Sequence, residues 1–311
     1  MRPGRWVATH LLTTLVTLVA CGGGDGGGSG DGEPDGAVSR GSTTTAPSST
    51  GPTEAVTPRA TAALDSIAVM GHSGATGTLT DPDDVTRDAT ENSWATGENP
   101  QVRSNYLRLA ETHPAMRGHN YNVAVNGSTV DNLEAQLQQL LVVADPLPDV
   151  VIVQTMDNDI RCDGTDADNV KPFGDVLRRM LELVREKVPD VSFFLVSQWA
   201  TVRTYATWAQ SQPAVVAENS GTGPCAFFTP EGELRPAGIR SLQAIVDGYW
   251  GAVEKVCAAV PDCWTDEGAL QAMGVTTQDL ARDFNHPSIE GHAKIASLAW
   301  QAFPEEIKQR D

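Results

Sequence analysis

The chain has 311 residues, enough for one large domain with a sizeable buried core. Its formal net charge of −18 argues against nucleic acid and anionic lipid headgroups as electrostatic partners, because both repel an acidic protein. The five cysteines and six histidines do not have the spacing of a zinc site, so the sequence predicts no metal and no cofactor.

The first twenty residues have the features of an export signal. Arg2 and Arg5 precede an apolar stretch that is too short to be a good membrane span. It ends in Leu18-Val19-Ala20-Cys21, which resembles the lipobox of bacterial lipoproteins. We expect a lipoprotein signal peptide over 1–20 and a lipid on Cys21, which would anchor the protein to the outer face of the cell membrane. The alternative is an ordinary cleaved signal, a secreted protein and an incidental Cys21.

Residues 21–60 consist largely of Gly, Ser, Thr, Pro, Asp and Glu. This composition cannot bury enough apolar surface to offset the entropy of ordering, so it predicts a disordered tether. A Gly/Ser-like coil of this length has a mean reach on the order of 35 Å. The folded domain is then expected over 61–311, as a monomer.

Apolar runs and amphipathic patterns alternate through that domain. The patterns predict strands at 67–70, 121–125, 150–153 and 191–196, and helices near 106–110, 131–141, 176–184, 241–259 and 288–302. This alternation predicts an α/β fold, a three-layer sandwich with a mostly parallel central sheet and helices on both faces. Residues 201–238 are too long for an ordinary connection, and their aromatic residues suggest either a lid or substrate wall or an aromatic satellite core.

Four cysteines lie within the predicted domain. An even number in an exported protein favours two disulfides. Cys257 and Cys263 flank a helix-ending turn and could form a local bridge, which would leave Cys162 for Cys225. The sequence also permits the two other pairings.

Small and polar residues follow the predicted strands. Ser73 follows the first strand, Gly127 the second and Asn158 the third. The carboxyl ends of parallel strands meet at one edge of the sheet, where pockets open. A serine there needs a base, an orienting acid and donors for the oxyanion that it creates. Asp283 and His286, far downstream and three residues apart, are the candidate acid and base.

These four blocks, in this order, resemble those of the SGNH hydrolases, also called the GDSL esterase and lipase superfamily, over roughly residues 65–303. The resemblance implies an SGNH/flavodoxin-like fold and a serine esterase that forms an acyl-enzyme on Ser73. His286 would be the base and Asp283 would orient it. The substrate would be a small-molecule, lipid or acylated polysaccharide ester, and fold does not choose among these.

The resemblance also implies an oxyanion hole. Its donors would be the backbone N–H groups of Ser73 and Gly127 and the side-chain amide of Asn158. Asn126 could compete for this role, but it lies one residue early. Each residue has a structural alternative: a turn serine, a glycine that permits a tight turn, and an asparagine that caps a helix or forms an Asx turn.

Two residues depart from the family pattern. His72 stands where the family has Asp, and we expect it to replace that residue structurally rather than to act as a second base, because its side chain points away from that of its neighbour. Met156 stands where the family has Gly and could narrow the pocket or disturb the oxyanion loop. His292, six residues after His286, is expected to be a surface or packing histidine.

Two other interpretations compete with this one. The α/β-hydrolases place their serine in Gly-x-Ser-x-Gly after several strands, whereas position 75 is Ala and Ser73 follows the first strand. A tethered binding or assembly module that has lost turnover is the non-enzymatic alternative. His72 and Met156 are the features that favour it.

Overall fold

The structure, a computed structural model, describes residues 63–310. The signal peptide, the lipid on Cys21 and the tether predicted for 1–60 therefore lie outside the described residues. Five strands form one sheet in which every neighbouring pair is parallel. The strands are β1 Ile67–Gly71, β2 Asn120–Asn122, β3 Val150–Gln154, β4 Ser192–Leu195 and β5 Cys263–Thr265.

Helices fill most of the connections between these strands. The α-helices of the described part are α1 Asn105–Thr112, α2 Leu133–Val143, α3 Asp166–Lys187, α4 Val202–Ala209, α5 Pro213–Glu218, α6 Pro236–Cys257, α7 Ile289–Ala302 and α8 Glu305–Lys308. Between residues 63 and 310, no helix combines the length and the apolar character needed to cross a membrane.

Alternate residues of each strand point to opposite faces of the sheet. Both faces therefore carry apolar side chains, and helices cover each of them. Ala68 and Met70 of β1 belong to a core shared with α2, α3 and α6. Ile67 and Val69 belong to a second core shared with α1 and α7. The predicted three-layer α/β fold is therefore confirmed.

Two details of the sheet differ from the prediction. The second strand covers Asn120–Asn122 rather than 121–125, although the Val125 N–H still donates to the Gly71 carbonyl over 3.1 Å. The strand β5 was not predicted. It has only three half-buried residues, too few to show a periodicity.

The strand order β2-β1-β3-β4-β5 places β1 inside the sheet. The chain moves to one side of β1 to form β2 and to the other side to form β3. Ligands in such sheets bind at this switch point, outside the carboxyl ends of the strands. Since Gly71 of β1 pairs with Gln154 of β3, the residues that follow these two strands meet there.

Two disulfides lie in the described part of the chain. Cys257–Cys263 closes a short loop, and Cys162–Cys225 joins residues 63 apart in sequence. This is one of the three pairings that the sequence permits. The second bridge links the loop after β3 to the insertion at 201–238, so it attaches the insertion to the carboxyl edge of the sheet.

Candidate active site

Ser73 begins a short 3₁₀ turn, Ser73–Ala75, directly after β1. Gly71, the last residue of β1, has φ +138°, and a Cβ atom there would lie 1.9 Å from the Gln154 carbonyl oxygen. Only glycine fits this approach of β1 to β3. Ser73 is 8% exposed, so its side chain retains limited contact with solvent at the end of the strand.

The side chain of Gln136, on α2, ties the end of β1 to the loop that contains Gly127. Its Oε1 accepts the Gly71 N–H over 2.7 Å, and its Nε2 donates to the Gly71 carbonyl over 2.8 Å and to Ser128 Oγ over 3.1 Å. Sequence reasoning missed Gln136, since a glutamine within an amphipathic helix carries no sign of such a long-range role.

The three predicted oxyanion donors follow β1, β2 and β3. Gly127 is exposed and has φ +77°, which favours glycine. Asn158 lies in the 3₁₀ turn Asp157–Asp159, and its Nδ2 donates to the Ser128 carbonyl over 2.9 Å. Within the described chain, its second amide hydrogen has no acceptor, so Asn158 can both hold the neighbouring loop and offer a donor.

Asp283 and His286 form a hydrogen-bonded pair at the entrance to α7. The distance between His286 Nδ1 and Asp283 Oδ2 is 2.6 Å. Asp283 Oδ1 accepts the backbone N–H groups of Asn285 and His286, each over 3.1 Å. Burial by itself raises the pKa of Asp283, but the hydrogen bond and the charge of His286, with the two backbone donors, hold it below its usual value.

The insertion packs against the loop that carries this pair. Phe284, between the two residues, has a left-handed φ of +59°, and its carbonyl accepts the hydroxyl of Tyr205 over 2.7 Å. Burial raises the pKa of Tyr205, so the hydroxyl keeps its proton and donates. The Trp208 ring lies 5.9 Å from that of Phe284.

The aromatic residues of the insertion join the core that the sheet shares with α2, α3 and α6, and one side of them is partly exposed. The Tyr205 ring contacts Trp199, Trp208 and Phe227 at centroid distances of 5.5 to 6.2 Å. Phe227 is buried, whereas the other three rings are partly exposed. The sequence suggested a lid or substrate wall or a satellite core, whereas the packing makes the insertion an extension of the main core.

No hydrogen bond joins Ser73 to His286 in the part of the chain that the structure describes. The structure orients His286 through Asp283 and presents Ser73 after β1, but it does not pair the two. Contacts of this kind are often long in unliganded enzymes and shorten when substrate binds.

Both ring nitrogens of His72 face groups other than Ser73. Nδ1 accepts the Gly74 N–H over 3.1 Å, and Nε2 lies 3.1 Å from Asp157 Oδ2. Nδ1 is engaged by Gly74 and Nε2 faces a carboxylate, so neither nitrogen is placed to act as a base toward Ser73. Its place at the start of the turn fits the expected structural replacement.

Two further titratable groups lie near the site. Burial raises the pKa of Asp159 to about 7, although its carboxylate accepts the Val130 N–H. His292 is completely buried, which lowers its pKa to about 3, and the nearby charge of His286 acts in the same direction. Of the two expectations for His292, packing is therefore the one that applies.

Met156 keeps a backbone conformation that suits glycine. Its φ is +104° and its side chain is 1% exposed, within the core between the sheet and α3. A non-glycine residue at such a φ costs on the order of 1–3 kcal/mol, and surrounding packing has to hold it. The departure from the family pattern thus leaves the turn at Asn158 in place and adds a buried side chain beneath it.

This conformation predicts an unusual order of stability at position 156. Both Met156→Ala and Met156→Gly lose the buried side chain, and Met156→Ala is expected to lose about 2–5 kcal/mol. Met156→Gly also relieves the backbone, so it should be more stable than Met156→Ala by about 1 kcal/mol. Urea denaturation of the two variants measures the difference.

Val153 provides the matched control, because it is buried in β3 with ordinary strand geometry. There the usual order applies, and Val153→Gly should be less stable than Val153→Ala. If position 156 shows the same order as position 153, the backbone at Met156 is not strained.

The sequence matches the model of the GDSL-like lipase/acylhydrolase family over residues 65–294. No curated protein matches the chain.

Several solved structures align with most of this chain at low sequence identity. TesA is 14% identical, with 78% of this chain and 99% of that one covered and a TM-score of 0.43. A family 3 carbohydrate esterase from Clostridium thermocellum is 15% identical, with 76% and 93% covered and a TM-score of 0.45. Phospholipase A1 from Streptomyces albidoflavus is 12% identical, with 77% and 100% covered and a TM-score of 0.43. Because the family model spans most of the sequence, the chain belongs to the GDSL-like lipase/acylhydrolase family and is a carboxylic ester hydrolase.

Proposed function

We propose that the protein cleaves esters through an acyl-enzyme on Ser73, with His286 as the general base and Asp283 as the residue that orients it. The observation that carries this proposal is the 2.6 Å hydrogen bond between His286 Nδ1 and Asp283 Oδ2. A proton held on Nδ1 leaves the lone pair of Nε2 free to accept a proton from a serine.

The proposed reaction has two steps. In the first, Ser73 Oγ bonds to the acyl carbon while its proton moves to His286 Nε2, and the same proton then passes to the departing alcohol. In the second, water replaces the alcohol: it gives its proton to His286, attacks the acyl carbon and releases the acid, and Ser73 recovers its proton. No cofactor takes part in either step.

The negative oxygen formed in each step needs donors aimed at it. The Ser73 and Gly127 backbone N–H groups and the free amide hydrogen of Asn158 are the proposed donors. Their positions after three adjacent strand ends support this role, since rigid donors require no reorganisation as the charge develops. Removal of one such donor typically costs on the order of 3 kcal/mol in the barrier.

The proposed substrate is a small-molecule, lipid or acylated polysaccharide ester. The partly exposed rings of Trp208 and Phe284 lie 5.9 Å apart, and Phe284 stands between Asp283 and His286 in the sequence. Such rings can pack against an acyl chain or against the face of a sugar.

Reaction with a fluorophosphonate tests the mechanism directly. The wild-type protein should be labelled at Ser73, as mapped by mass spectrometry, and should hydrolyse at least one member of a panel of acetylated sugars and of medium- and long-chain acyl esters. A protein that neither reacts nor hydrolyses any ester would instead be a binding or assembly module on the same fold.

For the N-terminal region, we propose export and a lipid anchor on Cys21. The support is the charged and apolar start of the sequence and the lipobox-like Leu18-Val19-Ala20-Cys21. Cys21→Ser should release the protein from the membrane fraction, and an unchanged fraction would contradict the anchor.

A further inference from the structure

We propose that His72 and Asp157 form a positioning pair, which holds the Ser73 turn against the turn that carries Asn158. This inference rests on the proposed serine mechanism. Neither side chain is assigned to the reacting atoms. Their role is to keep the nucleophile and one oxyanion donor in fixed relative positions.

The first part of the pair is the cap that His72 places on the Ser73 turn. His72 is 4% exposed and occupies the N-cap position of Ser73–Ala75. Its Nδ1 accepts the Gly74 N–H over 3.1 Å. An acceptor nitrogen carries no proton, so the neutral ring holds its proton on Nε2.

The second part is the carboxylate that this proton faces. His72 Nε2 lies 3.1 Å from Asp157 Oδ2, although the two groups lack the alignment of a hydrogen bond. The Asp157 side chain is 22% exposed, and its Oδ1 is buried without a hydrogen-bond partner in the described chain. Each group therefore has a buried polar atom that the other can satisfy after a small rotation.

The surrounding charges explain why a histidine serves here. His72 is near two carboxylates, Asp157 in direct contact and Asp159 through space, and Asp131 lies near Asp159. The family's aspartate at position 72 would place another negative charge against Asp157, and like charges at such a distance repel strongly. A histidine caps the same turn and presents a donor to Asp157 instead.

The pair connects the sites that the mechanism requires. Asp157 directly precedes Asn158, and Asn158 Nδ2 holds the Ser128 carbonyl next to Gly127. A movement of Asp157 would therefore move Asn158 relative to Ser73. Displacements of about 1 Å at a reacting centre can lower a rate on the order of 100-fold.

The proton on His72 can be located without any measurement of activity. Long-range ¹H–¹⁵N NMR of the full chain with ¹⁵N-labelled histidine distinguishes the two neutral tautomers, and His72→Asn identifies the signal. We expect an unprotonated Nδ1 and a protonated Nε2 in the neutral form, with the Nε2 signal shifted by Asp157→Asn. A proton on Nδ1 would overturn the proposal.

Kinetics then test whether the pair acts on the reaction. His72→Ala and Asp157→Asn should each lower kcat by about 10- to 100-fold, with KM changed by less than about threefold. The double variant should be no slower than the slower single variant, since either change breaks the same contact. Additive losses would show that the two residues act independently and would contradict a pair.

Two comparisons separate positioning from a loss of folding. Asp163→Asn, an exposed carboxylate in the same connection between β3 and α3, should keep the wild-type kcat. His72→Asn retains an N-cap acceptor and should recover part of the kcat lost in His72→Ala, with the Tm of these two variants equal. Wild-type kcat in both variants would refute the role. If wild-type protein shows the expected tautomer but no turnover, the serine mechanism fails and the contact stands.

Discussion

Ser73→Ala is expected to lower kcat for ester hydrolysis on the order of 10⁵-fold and to abolish labelling by a fluorophosphonate. The methyl group cannot form an acyl-enzyme, while the oxyanion donors and the Asp283–His286 pair stay in place. KM should change little, because Ser73 contributes to chemistry rather than to binding. Steady-state kinetics with the best ester of the substrate panel measures both constants.

Ser66 is the matched control for this substitution. It is a buried serine just before β1, at the opposite end of the same strand, and its hydroxyl donates to the Leu147 carbonyl. Ser66→Ala should lose some stability and keep its labelling and kcat. Substantial turnover in Ser73→Ala would mean that another group is the nucleophile.

Asp283→Asn is expected to lower kcat on the order of 10³-fold with the fold intact. Asp283 uses one oxygen for two backbone N–H groups and the other for His286 Nδ1. Asparagine has a single acceptor oxygen, so its NH₂ group would face Nδ1. The His286 proton would then move to Nε2, the atom that has to accept the proton of Ser73.

Asp81→Asn is the control for that argument, because Asp81 Oδ1 also accepts two backbone N–H groups, those of Asp83 and Asp84. Loss of the Asp81 charge from the same kind of turn should leave kcat within about twofold of the wild-type value. Equal kcat in Asp283→Asn and wild type would assign the orientation of His286 to another acceptor.

The pH dependence of stability offers a second measurement on Asp283. Its pKa is lowered in the folded protein, so the ionised carboxylate stabilises the fold above the ordinary aspartate pKa of about 3.9. That contribution disappears as the pH falls through the folded value. The stability difference between wild type and Asp283→Asn should therefore shrink toward low pH, and a constant difference would contradict the lowered pKa.

Much of the candidate site could be predicted from local patterns. Ser73, Gly127 and Asn158 each follow an apolar run, and the alternation of strands and helices implies that such runs end at one edge of a parallel sheet. Asp283 and His286 are three residues apart, so their hydrogen bond depends on one local turn. These relations involve either a repeating period or a short spacing, and both are visible in a sequence.

The contacts that were missed join distant parts of the chain. Gln136 bonds to Gly71 across 65 residues, and Tyr205 bonds to Phe284 across 79. The local sequence around Gln136 or Tyr205 does not indicate these partners. The short strand β5 was missed for a related reason, because three half-buried residues form a strand only when β4 lies beside them.

The sequence by itself determined the layered α/β fold, the family and the order of the candidate catalytic blocks, because these follow from hydrophobic period and motif spacing. The tertiary structure decided how the two departures are accommodated. Met156 retains the left-handed backbone of a glycine because the core beneath it holds its side chain. His72 faces Asp157 because the ends of β1 and β3 are adjacent in the sheet, a relation that depends on strand order rather than on local sequence.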